Sequence, residues 1–191
     1  MQTATVSPVG VPKRGYSRHA ESSATIAGPV ERLFARLDDH SRLASHMNRR
    51  SWRTGWGRME LQMDETAGKA VGAHLRLSGR VLGLRLEVDE VVREREPPWR
   101  KAWETVGDPR LLVIGAYRMG FELGPETQIG LGSSAEEGSC YVHLRVFTDY
   151  DSPGGIIGSV LGRLLGGWYA KWCTERMVAD ARAAVPSASA G

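Results

Sequence analysis

Side chains able to do chemistry are sparse in this chain. The histidines are His19, His40, His46, His74 and His143, and none pairs with another at helical spacing around a carboxylate, as a zinc hydrolase requires. Cys140 and Cys173 are the only cysteines, and they do not sit at metal-binding spacing. Both read as packing thiols. Gly154-Gly155 and Gly166-Gly167 lack the Lys and the strand-to-helix setting of a phosphate-binding loop, and no nucleophile elbow is present. No catalytic residue, metal ligand or cofactor site is therefore assigned.

The tryptophans carry more information. There are 6 Trp against 3 Phe. Trp168 and Trp172 lie on an apolar helical stripe with Ile157, Leu161, Leu164 and Leu165, a stripe expected to face a sheet. Trp103 sits mid-strand. Trp52 and Trp56, among Gly55 and Gly57, flank a connection where the mouth of a pocket belongs. Large aromatics with one polar atom suit a cavity for a planar or greasy ligand, and equally suit a filled core. Polar residues on otherwise apolar strands pose a related choice. His143 and Arg145 share a strand face with Tyr141 and Phe147, while Val142, Leu144 and Val146 occupy the other. If the aliphatic set faces inward, His143 and Arg145 are solvated. If the aromatic set does, they are buried polar groups awaiting a ligand. Arg118, between Tyr117 and Met119, poses the same choice, with Glu104 as a partner. The candidate ligand-binding residues are thus Trp52, Trp56, Trp103, Tyr117, Arg118, His143, Leu164, Trp168 and Trp172. For acid–base chemistry the candidates are His143, Arg118 and Glu104.

The elements that must position these residues follow from periodicity. Ser17 to Ile26 suits a first strand, ended by Gly28-Pro29. Val30, Leu33, Phe34 and Leu37 are spaced for a helix, and Asp39 can cap a second short one through Leu43, Ala44 and Met47. Met59, Leu61 and Met63 then alternate with polar residues, as do Leu75 and Leu77, and Leu84, Leu86 and Val88. Further strands are expected around Trp103, from Leu111 to Leu123, and from Cys140 to Tyr150, with a Gly/Ser/Glu-rich loop from Gly124 to Gly138. A long helix follows Pro153-Gly154-Gly155 and runs to about Ala184. The order is strand, two short helices, six strands, one long helix. Short turns make such strands antiparallel, and only the last helix is long enough to cover the apolar face of the sheet. A curved sheet gripping one helix leaves room for an apolar ligand.

Bulk composition bounds the rest. The chain has 191 residues, 41% hydrophobic and 25% charged, with a net charge of +3, which fits one globular domain. We expect a flexible arm over 1–15, one ligand-binding domain over 16–185 and a disordered tail over 186–191. The basic residues are almost all Arg and are interleaved with acids, with one short cluster from Asn48 to Arg53. That pattern argues against a nucleic-acid partner. With no apolar segment of membrane-spanning length, the expected setting is the cytoplasm. Gly158, Gly162, Gly166 and Gly167 have two readings: close packing of the last helix, or a helix half (Ile156 to Tyr169) that moves or touches a membrane surface.

The element order and several local motifs resemble the START/Bet v 1-like superfamily, the helix-grip fold, and its bacterial polyketide cyclase/dehydrase and lipid-transport branch. The matching segments are Ala27-Gly28-Pro29-Val30-Glu31-Arg32-Leu33-Phe34 with Leu37-Asp38-Asp39, then Glu94-Arg95-Glu96-Pro97-Pro98-Trp99-Arg100 with Trp103-Glu104, and Tyr117-Arg118-Met119-Gly120-Phe121-Glu122-Leu123. The resemblance implies an α+β fold with a seven-stranded curved antiparallel sheet around the C-terminal helix, and a cavity between them. It implies binding or transport of a hydrophobic small molecule or lipid. The other readings are a cofactor-independent cyclase or dehydratase using the same cavity, and a membrane- or protein-interaction module without ligand.

Overall fold

The computed structural model describes residues 15–43, 58–81, 84–125 and 141–183. Trp52, Trp56, the basic cluster, the expected arm and tail, and the Gly/Ser/Glu-rich loop beyond Pro125 lie outside them. Seven strands form one antiparallel sheet. They are β1 (Arg18–Ala27), β2 (Arg58–Met63), β3 (His74–Val81), β4 (Leu84–Glu96), β5 (Arg100–Arg110), β6 (Tyr117–Pro125) and β7 (Tyr141–Tyr150). Their spatial order is β1-β7-β6-β5-β4-β3-β2. Consecutive strands from β2 to β7 are neighbours, as short turns demand. β1 and β2 occupy opposite edges, so the chain must cross the sheet between them, and α1 (Val30–Leu37) and α2 (His40–Leu43) lie on that crossing. Pro29 precedes the first turn of α1. Asp39 heads α2 as expected, its Oδ1 accepting from the Ser41 backbone N–H at 3.1 Å.

The long helix α3 (Ile156–Arg182) packs against β1 and β7. Thr174 and Ser22 share a hydrogen bond of 2.8 Å between their hydroxyls across that contact. The sheet face toward the helix carries the apolar phase of β1, β3, β4, β6 and β7: Ala24 and Ile26, Leu75 and Leu77, Val88 and Val92, Phe121 and Leu123, Val142, Leu144 and Val146 are all buried. This settles the face of β7, where the aliphatic set points inward. His143 is exposed on the opposite face.

The outer face explains the scattered Arg. Arg145 bridges Glu21 (2.7 Å) and Glu122 (3.0 Å), Arg118 meets Glu94 (2.8 Å), and Arg93 meets Glu104 (2.6 Å). The Arg145 and Arg93 pairs join neighbouring strands, and the Arg118–Glu94 pair reaches across β5 from β6 to β4, where opposite charges on one face come within reach. Phe147 lies on this outer face between Arg118 and Arg145, whose guanidinium carbons stand 5.9 and 5.4 Å from its ring centre. Gly120 makes room for that ring: a Cβ there would stand 2.8 Å from Phe147 Cζ and 2.7 Å from the Lys101 carbonyl oxygen.

Two expectations are corrected. The sixth strand begins at Tyr117, not Leu111, because residues 111–116 leave the sheet. They are pinned instead to the start of the β7–α3 connection, with Gly115 N donating to Asp151 O at 2.7 Å and Asp151 N to Ala116 O at 2.9 Å. The second correction concerns the face of α3. The helix side turned inward carries Gly162, Gly166, Ala170, Thr174, Met177, Val178 and Ala181, while Leu164, Leu165 and Trp168 of the bulky stripe are exposed and Leu161 and Trp172 half-buried. A Cβ on Gly162 would stand 2.5 Å from Pro153 Cδ, and one on Gly166 would stand 2.8 Å from the Val113 carbonyl oxygen. The glycines therefore do serve close packing, and the neighbours they admit are the two loops at the end of the sheet.

Candidate functional site

The helix-facing side of β4 carries an acid in its apolar phase. Val88, Glu90 and Val92 are successive inward residues, and Glu90 is only 5% exposed. The Tyr117 hydroxyl donates to Glu90 Oε1, and the Trp103 indole also hydrogen-bonds the carboxyl. Burial pushes the Glu90 carboxyl up to about 7, against the opposing pull of those two donors. Burial and the adjacent Glu90 raise the Tyr117 phenol well above its ordinary value.

Facing this group from α3 are Tyr169 and Cys173, which hydrogen-bond each other. Burial pushes the Cys173 thiol up to about 12, so it is protonated and a poor nucleophile at neutral pH. The neighbouring Cys173 and then burial hold Tyr169 well above the usual phenol range. Trp172 stacks on Tyr169 with ring centres 6.0 Å apart. The apolar surroundings are Leu77, Val88, Ile114, Tyr150 and Ala170, clustered with Tyr117. His40 meets Trp103 edge-on, with ring centres 4.7 Å apart. Burial, helped by the Lys101 charge, brings His40 down to about 3, so it is neutral. Its Nε2 is buried without a hydrogen-bond partner.

A second buried group ties the crossing helices to the sheet. Lys101 is 1% exposed, and its Nζ donates to Asp38 Oδ1 at 2.7 Å and to the Asp38 carbonyl oxygen at 3.0 Å. Arg95 approaches the same carboxylate with two donors, at 3.1 and 2.8 Å. A register shift in β4 between Val92 and Glu94 turns Arg95 to the Lys101 side of the sheet. Burial works to raise Asp38, but the hydrogen bonds from Arg95 and Lys101 take its carboxyl below the usual range. Burial lowers Lys101 despite Asp38. The bond to the Asp38 backbone and the depth of the pair give it an anchoring role.

The residues expected from sequence to bind a ligand separate into groups. Trp103 and Tyr117 come together at Glu90, with Trp172 nearby through Tyr169. Arg118 and His143 do not: both lie on the outer face of the sheet, because the aliphatic phase of β7 and the Tyr117 phase of β6 take the inside. Arg118 finds Glu94, not Glu104. Leu164 and Trp168 are 73% and 62% exposed, since the glycine side of α3 faces inward. Trp52 and Trp56 lie outside the described residues. Sequence reading missed Glu90, although its position in the alternation Leu84, Leu86, Val88, Glu90, Val92 was a usable signal. Trp103→Ala is expected to lower the unfolding free energy by about 3–5 kcal/mol, as for a buried aromatic. Trp168→Ala is expected to change it by less than about 1 kcal/mol in urea titration, as for an exposed one.

One described pocket lies elsewhere, a surface groove of about 340 Å³ between the end of β1 and α1, bordered by Leu33, Arg32, Arg36 and Asp39. It contains none of the expected residues. Among the described residues no group of acids, thiols and imidazoles is arranged to hold a metal ion, and no helix is long and apolar enough to cross a membrane.

Comparison with known proteins places these features in context. The family described as polyketide cyclase / dehydrase and lipid transport matches residues 17–182. Norcoclaurine synthase from Thalictrum flavum superposes with a TM-score of 0.55 at 10% identity, covering 100% of both chains. A protein of Thermus thermophilus does so at 0.53 and 15% identity, over 91% of this chain and 100% of its own. A protein of Mycobacterium smegmatis gives 0.52 and 10% identity, over 91% and 93%. At these identities the likeness is one of fold, the helix-grip fold of the Bet v 1-like proteins. No curated protein matches the chain.

Proposed function

We propose that this chain, which belongs to the polyketide cyclase/dehydrase and lipid transport family, binds a hydrophobic small molecule between its sheet and α3. The observation that carries the proposal is the Glu90–Tyr117–Trp103 group. It is a polar cluster set on the apolar phase of three adjacent strands, β4, β5 and β6. An apolar residue at position 90 would serve stability better, because a buried carboxyl must be desolvated. Placing an acid there suits a site that orients a ligand by one polar end and holds its body by apolar burial, worth about 25 cal/mol per Å². Mass spectrometry of an organic extract of the natively purified protein tests this. A stoichiometric apolar compound supports it. The absence of any such compound, together with no binding of an apolar fluorescent probe such as anilinonaphthalene sulfonate, overturns it.

A second reading, a cyclase or dehydratase using the same site, is favoured by one observation. A carboxyl pushed up to about 7 holds and releases a proton at neutral pH, which is what a general acid–base needs. In that reading Glu90 replaces His143, Arg118 and Glu104 as the acid–base candidate, because it is the one that faces inward.

Peripheral membrane contact is the proposed route of ligand entry. Val160, Leu164, Leu165 and Trp168 are exposed large apolar side chains on the first half of α3, next to Arg163. The same Trp168→Ala variant should sediment less with anionic vesicles. Undiminished sedimentation would remove this route.

A further inference from the structure

The charges around Glu90 are one-sided. The groups that face it are the Tyr117 hydroxyl, the Trp103 indole, and Tyr169 with Cys173 across from them on α3. All are uncharged at neutral pH. His40, which meets the Trp103 ring edge-on, is neutral too. The cations on this side of the sheet are engaged elsewhere: Lys101 and Arg95 by Asp38 at 2.7 and 2.8 Å, and Arg18 by the Gly162 carbonyl oxygen at 3.2 Å. Among the described residues, then, no cation faces Glu90. The Lys101–Asp38–Arg95 group shows the contrast, since there a buried carboxylate is matched by two cations.

A buried carboxylate without a counter-charge is unfavourable unless something else supplies the charge. Tyr117 and Trp103 donate to it, and both bonds favour its ionised form. A carboxylate offers about four lone-pair sites, so two donors leave others open. The side chains of Trp103, Tyr117 and Tyr169 surround it and bring no charge of their own at neutral pH. The apolar cluster of Leu77, Val88, Ile114 and Tyr150 continues from the polar end.

We infer that the ligand of this site is an apolar molecule carrying one cationic amine, seated with its N–H donors on the Glu90 carboxylate. This inference rests on the binding reading above and names the ligand class for the same site. A neutral alcohol of the same size gains one hydrogen bond and no charge pairing. A carboxylic acid meets a like charge or must take up a proton.

The test uses three probes of one chain length: octylamine, octanol and octanoate. Their binding to the full chain is measured by isothermal titration calorimetry near pH 7, in two buffers of different ionisation enthalpy. Octylamine should bind at least about tenfold tighter than octanol, a charge-assisted bond against a neutral one. Octanoate should bind most weakly. Octylamine binding should release protons, because an adjacent cation drives Glu90 to its ionised form, while octanol should release none. In Glu90→Gln, octylamine should fall to the affinity of octanol, with octanol within about twofold of its wild-type value. Equal affinity for amine and alcohol without proton release overturns the amine inference and leaves the binding reading standing. Tightest binding of octanoate, with proton uptake, also overturns it. Failure of all three probes to bind overturns both. If the variant does not fold, proton release in the wild-type protein decides the matter by itself.

Discussion

Glu90→Gln is expected to make the protein more stable by about 3 kcal/mol at pH 8 and by less than about 1 kcal/mol at pH 5. The carboxyl moves from an ordinary 4.5 to about 7 on folding. Between these values the folded state holds a proton that the unfolded state has lost. Stability therefore falls as pH rises through this window, at about 1.4 kcal/mol per pH unit. Above pH 7 the full penalty is present, and below 4.5 both states are protonated and it vanishes. Gln keeps an oxygen to accept from Tyr117 and Trp103 and carries no titrating group, so it escapes the penalty. Urea unfolding of both proteins at pH 5 and pH 8 measures the effect. A difference that is the same at both pH values would show that Glu90 is not desolvated on folding. A gain at pH 8 would show that the acid is held against the interest of stability, as functional groups often are.

Removing Asp38 should have the opposite sign and similar size. Asp38→Ala leaves Lys101 with its ammonium in the interior and strips Arg95 of both its bonds. The expected loss is about 3 kcal/mol, at the low end for breaking a buried pair. It is at the low end because burial already lowers Lys101, which can shed its proton when the carboxylate is gone. The double replacement Asp38→Ala with Lys101→Met should recover much of the loss, since it removes the stranded charge as well as its partner. Denaturant unfolding of the single and double variants gives the coupling directly. Additive losses would mean that the two side chains do not act as a pair. Because the Asp38 side chain ties the end of α1 to Lys101 and Arg95 on the sheet, the single variant should loosen α1 and α2 more than the strands, which amide exchange can resolve.

Much of the architecture was legible because alternation and helical spacing are local. The strands around Leu61, Leu75, Val88, Trp103 and Leu144, and the helix after Gly155, stand where their periods put them. Alternation left open which face of β7 points inward; the structure turns the aliphatic side in, leaving His143 in solvent and Arg145 paired with Glu21 and Glu122. Periodicity failed at α3. Leu164 and Trp168 belong to the most apolar stripe of that helix, yet Gly162 and Gly166 face inward. Hydrophobic periodicity counts side chains, whereas this helix is oriented by the absence of side chains where Pro153 and Val113 approach. The buried polar groups were hidden for a different reason. Lys101 looks like an ordinary surface residue of a half-wet strand, and Glu90 stands out only as an acid in the apolar phase of β4; the partners that explain them are distant in the chain, Asp38 for Lys101, Tyr117 and Trp103 for Glu90.

The sequence by itself determined the element order, the antiparallel pairing and the family, because turns, periods and short motifs are written along the chain. The tertiary structure decided which aromatic side chains stand on the helix-facing side of the sheet and which acid stands among them. It drew Trp103, Tyr117 and Tyr169 to Glu90 and turned Arg118, His143, Leu164 and Trp168 away. The physical reason is that charge and aromaticity acquire their meaning from burial and from the neighbours that close around them. At Glu90 those neighbours come from two other strands and from a helix near the far end of the chain.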